Sequence, residues 1–357
     1  MKVILDILTP KQFMFFPKIA ESLEKRGHTV HMVSRRYREV SRLVKRKGLN
    51  VDVIGEHGGR DLRDKLVASV KRIQALVPVF EEVEPDAAVS FSSPELARAS
   101  FGLGVPHICL NDSPHAVAVA RLTLPLSEKL LTPKMIPKSA WTGYGIPEDR
   151  IVQYEALDPW VWLRDFEPDA AVLDELGLSQ DRPIVTVRMP ETQAAYLLGN
   201  LTGFSAIAEF VENLKRMRDE LQIVVVPRYG EQVETLLRSA ESGIKVCEEV
   251  VDGPSLLYYS DVFIGAGGTM SAEAALLGIP TYSSYPGEPY LIERYLVERG
   301  LVIRETDYGR IARGVLEILE DPVEARRAQS SRARELVSGF EDPVEVIVGE
   351  IENVKDY

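Results

Sequence analysis

The first half of the chain sets short apolar runs between longer segments in which apolar residues recur at three- and four-residue steps. Runs at residues 3–8, 30–33, 51–54, 87–91, 107–110 and 129–131 predict strands, and segments such as 15–25 and 62–80 predict helices. Strand followed by helix, repeated, specifies a parallel sheet covered on both faces. The second half repeats the plan, with strands expected at 184–187, 222–226, 244–247, 262–264, 281–282 and 301–303. Its clearest helix is expected over 205–221, where Ile207, Phe210, Val211, Leu214, Met217 and Leu221 share one face and Glu209, Lys215 and Arg216 take the other. Two doubly wound units therefore follow one another. The join is expected within 158–169, whose prolines and acidic residues break both periodicities. This gives a first domain of residues 1–163, a second of 164–340, and a final amphipathic segment at 341–357 expected to leave the second domain and pack back on the first.

Composition narrows the class. The 357 residues are 45% hydrophobic and 27% charged, an ordinary globular balance with enough chain for two cores. The two cysteines, Cys109 and Cys247, each sit in an apolar strand-like run, so no disulfide framework is available and a reducing compartment is indicated. No stretch reaches the roughly 18 uncharged apolar residues of a membrane span, and the expected location is cytoplasmic. Only 13 Asn and Gln residues stand against 96 charged ones, which leans towards a thermophilic source. The net charge of −12 hides a division: residues 1–150 carry 23 basic and 17 acidic side chains, net +6, and residues 151–357 carry 19 and 37, net −18. The two halves are expected to face different things.

The strongest local signal is the run Phe263-Ile264-Gly265-Ala266-Gly267-Gly268-Thr269-Met270-Ser271-Ala272-Glu273, closed by Gly278-Ile279-Pro280. A buried strand enters three glycines in four residues and then a helix expected to be capped by Thr269 or Ser271. Backbone N–H groups and the helix dipole there converge on one spot suited to a phosphate or diphosphate. The plainer alternative is a tight turn whose glycines serve packing alone. Glu273 reads either as a carboxylate favoured in a first helical turn or as an acceptor for ribose hydroxyls.

This run resembles the donor diphosphate and ribose motif of GT-B proteins, the superfold of two facing Rossmann-like domains shared by many nucleotide-sugar glycosyltransferases and by UDP-N-acetylglucosamine 2-epimerase. More closely, the chain resembles an uncharacterised, mainly archaeal family of that superfold. The stretches that carry the likeness are 15–17 to 27–28, Ser90-Phe91-Ser92-Ser93-Pro94-Glu95, Asn111-Asp112-Ser113-Pro114-His115-Ala116, Arg121-Leu122-Thr123-Leu124-Pro125 and Val187-Arg188-Met189-Pro190-Glu191. The resemblance implies an α/β, GT-B-like fold of two doubly wound domains facing across a cleft. It implies nucleotide-sugar binding, UDP-linked, through Gly267, Gly268, Thr269, Met270 and Glu273. Arg188 and Arg228, at expected strand ends, suit the diphosphate, with ordinary surface arginines as the alternative. Glu288, in Tyr285-Pro286-Gly287-Glu288-Pro289, falls where GT-B proteins contact donor-sugar hydroxyls.

Transfer of the sugar to an acceptor needs one base, and Asp112 and His115, at the end of an expected strand, are the candidates. Asp112 as a helix cap and His115 as a surface imidazole are the alternatives. The epimerase pattern is poorly matched, because Val117, Ala118, Val119 and Ala120 stand where its carboxylates belong and Asn111-Asp112-Ser113 keeps at most one. Relatives tend to carry an Asn-x-Pro-His-like loop where this chain has Thr9-Pro10-Lys11-Gln12, so Gln12 cannot serve as a base there but can position a substrate. A non-catalytic nucleotide-sugar-binding protein is the third reading.

The segment 35–47 holds seven basic residues and one acidic, and Phe13-Met14-Phe15-Phe16 is densely apolar. Together they suit peripheral contact with an anionic membrane and a lipid-linked acceptor; a solvated helix face and phenylalanines buried against the sheet are the alternative. No pattern for nucleic-acid binding is present. The five histidines show no metal-ligand spacing, so neither metal nor cofactor is called for. The nucleotide-sugar enters as co-substrate, and a divalent ion accompanying its diphosphate is compatible with the sequence without being required.

Overall fold

The computed structural model describes residues 1–36, 48–59, 61–190, 203–227 and 244–354. The chain divides into two compact units, Met1–Trp162 with Glu341–Tyr357, and Leu163–Phe340. The first holds a seven-stranded parallel sheet of β1 (Lys2–Ile7), β2 (Thr29–Arg36), β3 (Asp52–Glu56), β4 (Ala87–Ser90), β5 (His107–Leu110), β6 (Lys129–Pro133) and β7 (Ile151–Tyr154), in the order β3-β2-β1-β4-β5-β6-β7. The second holds a six-stranded parallel sheet of β8 (Ile184–Arg188), β9 (Gln222–Val226), β10 (Ile244–Val246), β11 (Val262–Gly265), β12 (Thr281–Ser283) and β13 (Ile303–Arg304), in the order β10-β9-β8-β11-β12-β13.

The strands show why the sequence folds this way. Five consecutive residues of β1, Val3 to Ile7, are buried, as are all five of β9. Such runs lack alternation because helices cover both faces of a parallel sheet. In each sheet the strand order reverses once, between β1 and β4 in the first and between β8 and β11 in the second. In open α/β sheets, ligands bind beyond the carboxyl ends of the strands at such reversals.

The helix Pro10–Lys25 opens with proline at its first position, where the missing N–H costs nothing. Its Phe13, Phe15 and Phe16 are fully buried. This removes them from any membrane-facing role: they pack in the core of the first unit. Residues 37–47 lie outside the described residues, so the basic segment is represented only by Arg35 and by Arg36, whose guanidinium is 3.6 Å from Glu56. Among the described residues, no helix is long and apolar enough to cross a membrane.

The helix Pro343–Glu352 packs against the helix Pro10–Lys25. It buries Val344, Ile347, Val348 and Ile351. Around this apolar stripe, Arg26 pairs with Glu345 (2.6 Å) and Glu352 (2.8 Å), and Lys129 with Glu350 (2.6 Å). Solvent screens these partly exposed pairs, so the four buried aliphatic side chains are the main hold on the helix.

Two element ends differ from expectation. The helix expected over 205–221 runs Gly203–Met217, because Lys215 turns back to donate to the Leu221 carbonyl (3.1 Å) and the chain reverses there into β9. The strand expected at 301–303 is only Ile303–Arg304, Leu301 and Val302 being buried in the turn before it.

Candidate functional site

Beyond the carboxyl end of β11 the chain enters Gly265-Ala266-Gly267-Gly268. Gly267 has φ 77° and Gly268 φ 86° with ψ −168°, the latter a conformation essentially confined to glycine. The loop is anchored at its start, where the Gly265 carbonyl accepts from the Ser284 N–H (2.7 Å) and hydroxyl (3.1 Å). Gly268 is the N-cap of the helix Thr269–Leu276, and no side chain caps it. The expectation of a hydroxyl cap is therefore corrected: Thr269 lies inside the helix, and the buried Ser271 hydroxyl has no hydrogen-bond partner among the described residues. A glycine cap leaves the first N–H groups of the helix without a side-chain acceptor, which is what an anion site at a helix N-terminus requires.

Glu273 is the fifth residue of that helix and is buried, so its reading as a first-turn carboxylate is also corrected. Thr269 and Met270 are half-buried, and Met270 packs against the apolar clusters beside β11. Arg188 ends β8, across the reversal from the glycine loop, and donates to the Pro227 carbonyl (2.9 Å) among its contacts. Arg228 lies outside the described residues. Glu288 is exposed in the loop after β12. There Arg304 donates to the carbonyls of Tyr285 and Gly287, and the Tyr285 and Tyr290 hydroxyls bond at 2.8 Å.

One residue of this region has no counterpart in the sequence motif. Glu293, on the helix Leu291–Glu298, is buried and accepts from the Ser283 hydroxyl through Oε1. Its Oε2 has no hydrogen-bond partner among the described residues and lies 3.2 Å from where a Cβ on Gly267 would stand.

The corresponding reversal in the first unit is built from side chains. Lys11, at the start of the helix after β1, donates to Asp112 Oδ2 (2.6 Å) and Asp158 Oδ2 (2.5 Å) and lies 4.1 Å from the centre of the Phe91 ring. Asp112 also accepts from the Ser113 hydroxyl (2.8 Å), and Asp158 from the Tyr154 hydroxyl. These residues come from the carboxyl ends of β1, β4, β5 and β7, the edge at which doubly wound sheets hold ligands.

The charges are strongly interdependent. Burial opposes the Lys11 ammonium, but Asp112 and Asp158 hold its pKa above the ordinary value. Burial likewise opposes the Asp112 carboxylate, and Lys11 and Ser113 hold its pKa below the usual range. For Asp158 burial prevails, with the Asp112 charge acting the same way, and its pKa rises to about 6. Burial and the Asp158 charge push Tyr154 well above its ordinary value. His115 is half-buried with its pKa lowered by burial, the Asp112 charge opposing, so the imidazole is unprotonated at neutral pH.

Asp112 is therefore no helix cap; Asn111 Oδ1 takes the local N–H, that of Ser113, at 2.7 Å. Gln12 is buried, and its Oε1 accepts from the Leu8 N–H (2.6 Å), which braces its own loop. Among the described residues no group of three or more His, Cys, Asp or Glu side chains is arranged to hold a metal ion.

Two doubly wound α/β units in one chain, each with a single reversal of strand order, define a protein of GT-B-like fold. The UDP-GlcNAc 2-epimerase of Neisseria meningitidis, solved bound to UDP-GlcNAc, is similar with a TM-score of 0.75 over 99% of this chain and 100% of its own, at 15% identity. The spinosyn rhamnosyltransferase SpnG is similar with a TM-score of 0.64 over 99% and 100%, at 16% identity. The chain itself belongs to the family described as "Protein of unknown function (DUF354)", whose sequence model matches residues 1–356. The uncharacterized protein MJ0665 of Methanocaldococcus jannaschii is 31% identical over 337 residues, 90% of this chain and 95% of that protein.

Proposed function

We propose that this protein binds a UDP-linked sugar at the glycine loop of its second unit and transfers the sugar to an acceptor. The observation that carries the reading is the uncapped N-terminus of the helix Thr269–Leu276, opened by two glycines of positive φ at the reversal of the sheet. Backbone N–H groups there, with Arg188, offset charge growing on the departing diphosphate. His115 serves as the base: burial lowers its pKa, so the imidazole is unprotonated at neutral pH. In the transfer the acceptor hydroxyl loses its proton to the imidazole, its oxygen bonds to the anomeric carbon, and the bond to the diphosphate breaks.

Calorimetric titration with UDP and UDP-sugars tests the donor site. Binding that Gly268→Trp abolishes supports the reading, and undiminished affinity in that variant rejects it. For the chemical step, His115→Ala is expected to lower transfer about 100-fold or more with donor affinity retained.

A specific observation also keeps epimerase chemistry in view. The first unit places Asp158 beside Asp112, so the carboxylate pair that the local sequence lacks is supplied from 46 residues further along. Incubation with UDP-N-acetylglucosamine without any acceptor, followed by NMR for the manno epimer, separates this from transfer. Binding without turnover under either condition identifies a binding protein.

A further inference from the structure

The glycine loop meets a buried carboxyl group that an anion site would not be expected to tolerate. Glu293 turns Oε2 towards Gly267 with no hydrogen-bond partner among the described residues, while Oε1 is held by Ser283. A carboxylate fixed in that place repels a bound diphosphate, whereas a carboxylic acid has one O–H to donate.

The neighbouring elements bring few charges to bear. Arg304 on β13 acts on Glu293 through its positive field but spends hydrogen bonds on the carbonyls of Tyr285 and Gly287. The helix Thr269–Leu276, which packs against the Glu293 helix, carries the buried Glu273. The loop after β12 brings the paired hydroxyls of Tyr285 and Tyr290, and β12 brings Ser283. Burial raises the Glu293 pKa above the usual carboxyl value, with Ser283 and Arg304 opposing.

We propose that Glu293, in its protonated form, donates a hydrogen bond through Oε2 to the anion held by the Gly267–Gly268 loop, so that above the midpoint of the free carboxyl group ligand binding takes up one proton. The proposal rests on the glycine loop being the diphosphate site and adds a pH dependence that this reading alone does not contain.

The test is calorimetry of the full chain with UDP-N-acetylglucosamine, whose diphosphate diester does not itself titrate near neutral pH, in buffers of low and high ionisation heat. Above the midpoint of Glu293 the wild-type association constant is expected to fall by up to tenfold per pH unit, with buffer-dependent heat equivalent to about one proton taken up. Glu293→Gln is expected to bind with neither the pH slope nor the buffer dependence. Ser283→Ala removes a bond that favours the charged form and is expected to move the midpoint to higher pH. Wild-type affinity independent of pH, an equal slope in Glu293→Gln, or an unmoved midpoint in Ser283→Ala each overturns the proposal. Absence of binding by the wild type at every pH instead overturns the glycine-loop reading on which it rests.

Discussion

The two units place different chemistry at the same topological point. At the β1/β4 reversal the first unit gathers an ammonium, two carboxylates, a phenol and an aromatic face, and each charge is answered by another within 2.6 Å. At the β8/β11 reversal the second unit offers mainly backbone, with Arg188 and one unpartnered carboxyl oxygen at its margin. A cluster that already satisfies itself does its work by holding a geometry. The first unit's cluster is thus internally paired, whereas the second unit's loop presents backbone with no side-chain cap.

That division can be broken most forcefully at Arg72. Its guanidinium is buried and grips Asp6 by two bonds, of 2.9 and 2.6 Å, while donating to the Ile54 carbonyl at 2.9 Å. Arg72→Met leaves Asp6 buried and unpaired, with an expected loss of about 3–5 kcal/mol in urea unfolding. A loss below about 1 kcal/mol would show that buried charge does not organise this unit. Lys11→Met strands two carboxylates and is expected to cost about 3 kcal/mol, part of it recovered when Asp158→Asn is added. No recovery in the double variant would mean that the cluster is not a coupled unit.

The second unit should respond in the opposite sense. Gly268→Trp is expected to weaken UDP-sugar binding at least about 100-fold, roughly 2.7 kcal/mol, while Lys11→Met leaves the affinity of the folded protein within about threefold. Equal sensitivity of donor affinity to both substitutions would dissolve the comparison.

An effect absent at neutral pH concerns His107, which is buried between the Ser90 and Ser127 hydroxyls, both at 2.8 Å. Burial lowers its pKa from 6.5 to about 3 in the folded chain. As the pH falls below 6.5 the unfolded chain takes up a proton that the folded chain refuses. Stability that is complete above 6.5 is therefore lost progressively towards pH 3, at up to about 1.4 kcal/mol per pH unit. Unfolding of His107→Gln followed between about pH 4 and 7 should show a shallower slope than wild type by this amount. Identical slopes would remove His107 from the acid response.

The same contrast explains what could be read from the sequence. A backbone loop is contiguous, so the strand–glycine–helix turn from Gly265 to Glu273 is legible in the sequence, although a glycine and not a hydroxyl provides its cap. The side-chain cluster joins residues 101 and 147 positions apart, and no local pattern contains them. Asp112 is legible because it follows β5, whose apolar run is visible in the sequence. Asp158 follows β7, a four-residue strand with a glutamine in the middle, which carries too little apolar periodicity to be seen. Applied to β7, the same rule points to Asp158 as well. Glu293 was hidden differently, since a carboxylate three residues into a helix is ordinary and only burial against Gly267 makes it unusual.

The return of the helix Pro343–Glu352 to the first unit has a consequence for synthesis on the ribosome. The Glu155 carbonyl accepts from the Glu341 N–H at 3.0 Å, and the Glu155 N–H donates to the Glu341 side chain, so the segment leaving the first unit is clasped to the segment re-entering it. Everything between, residues 163–340, must be made before that clasp and the last helix can form. The unit that emerges first is thus finished last. Until then the faces of the helix Pro10–Lys25 and of β6 that meet this helix wait uncovered, while the second unit is free to fold as soon as its own chain is out.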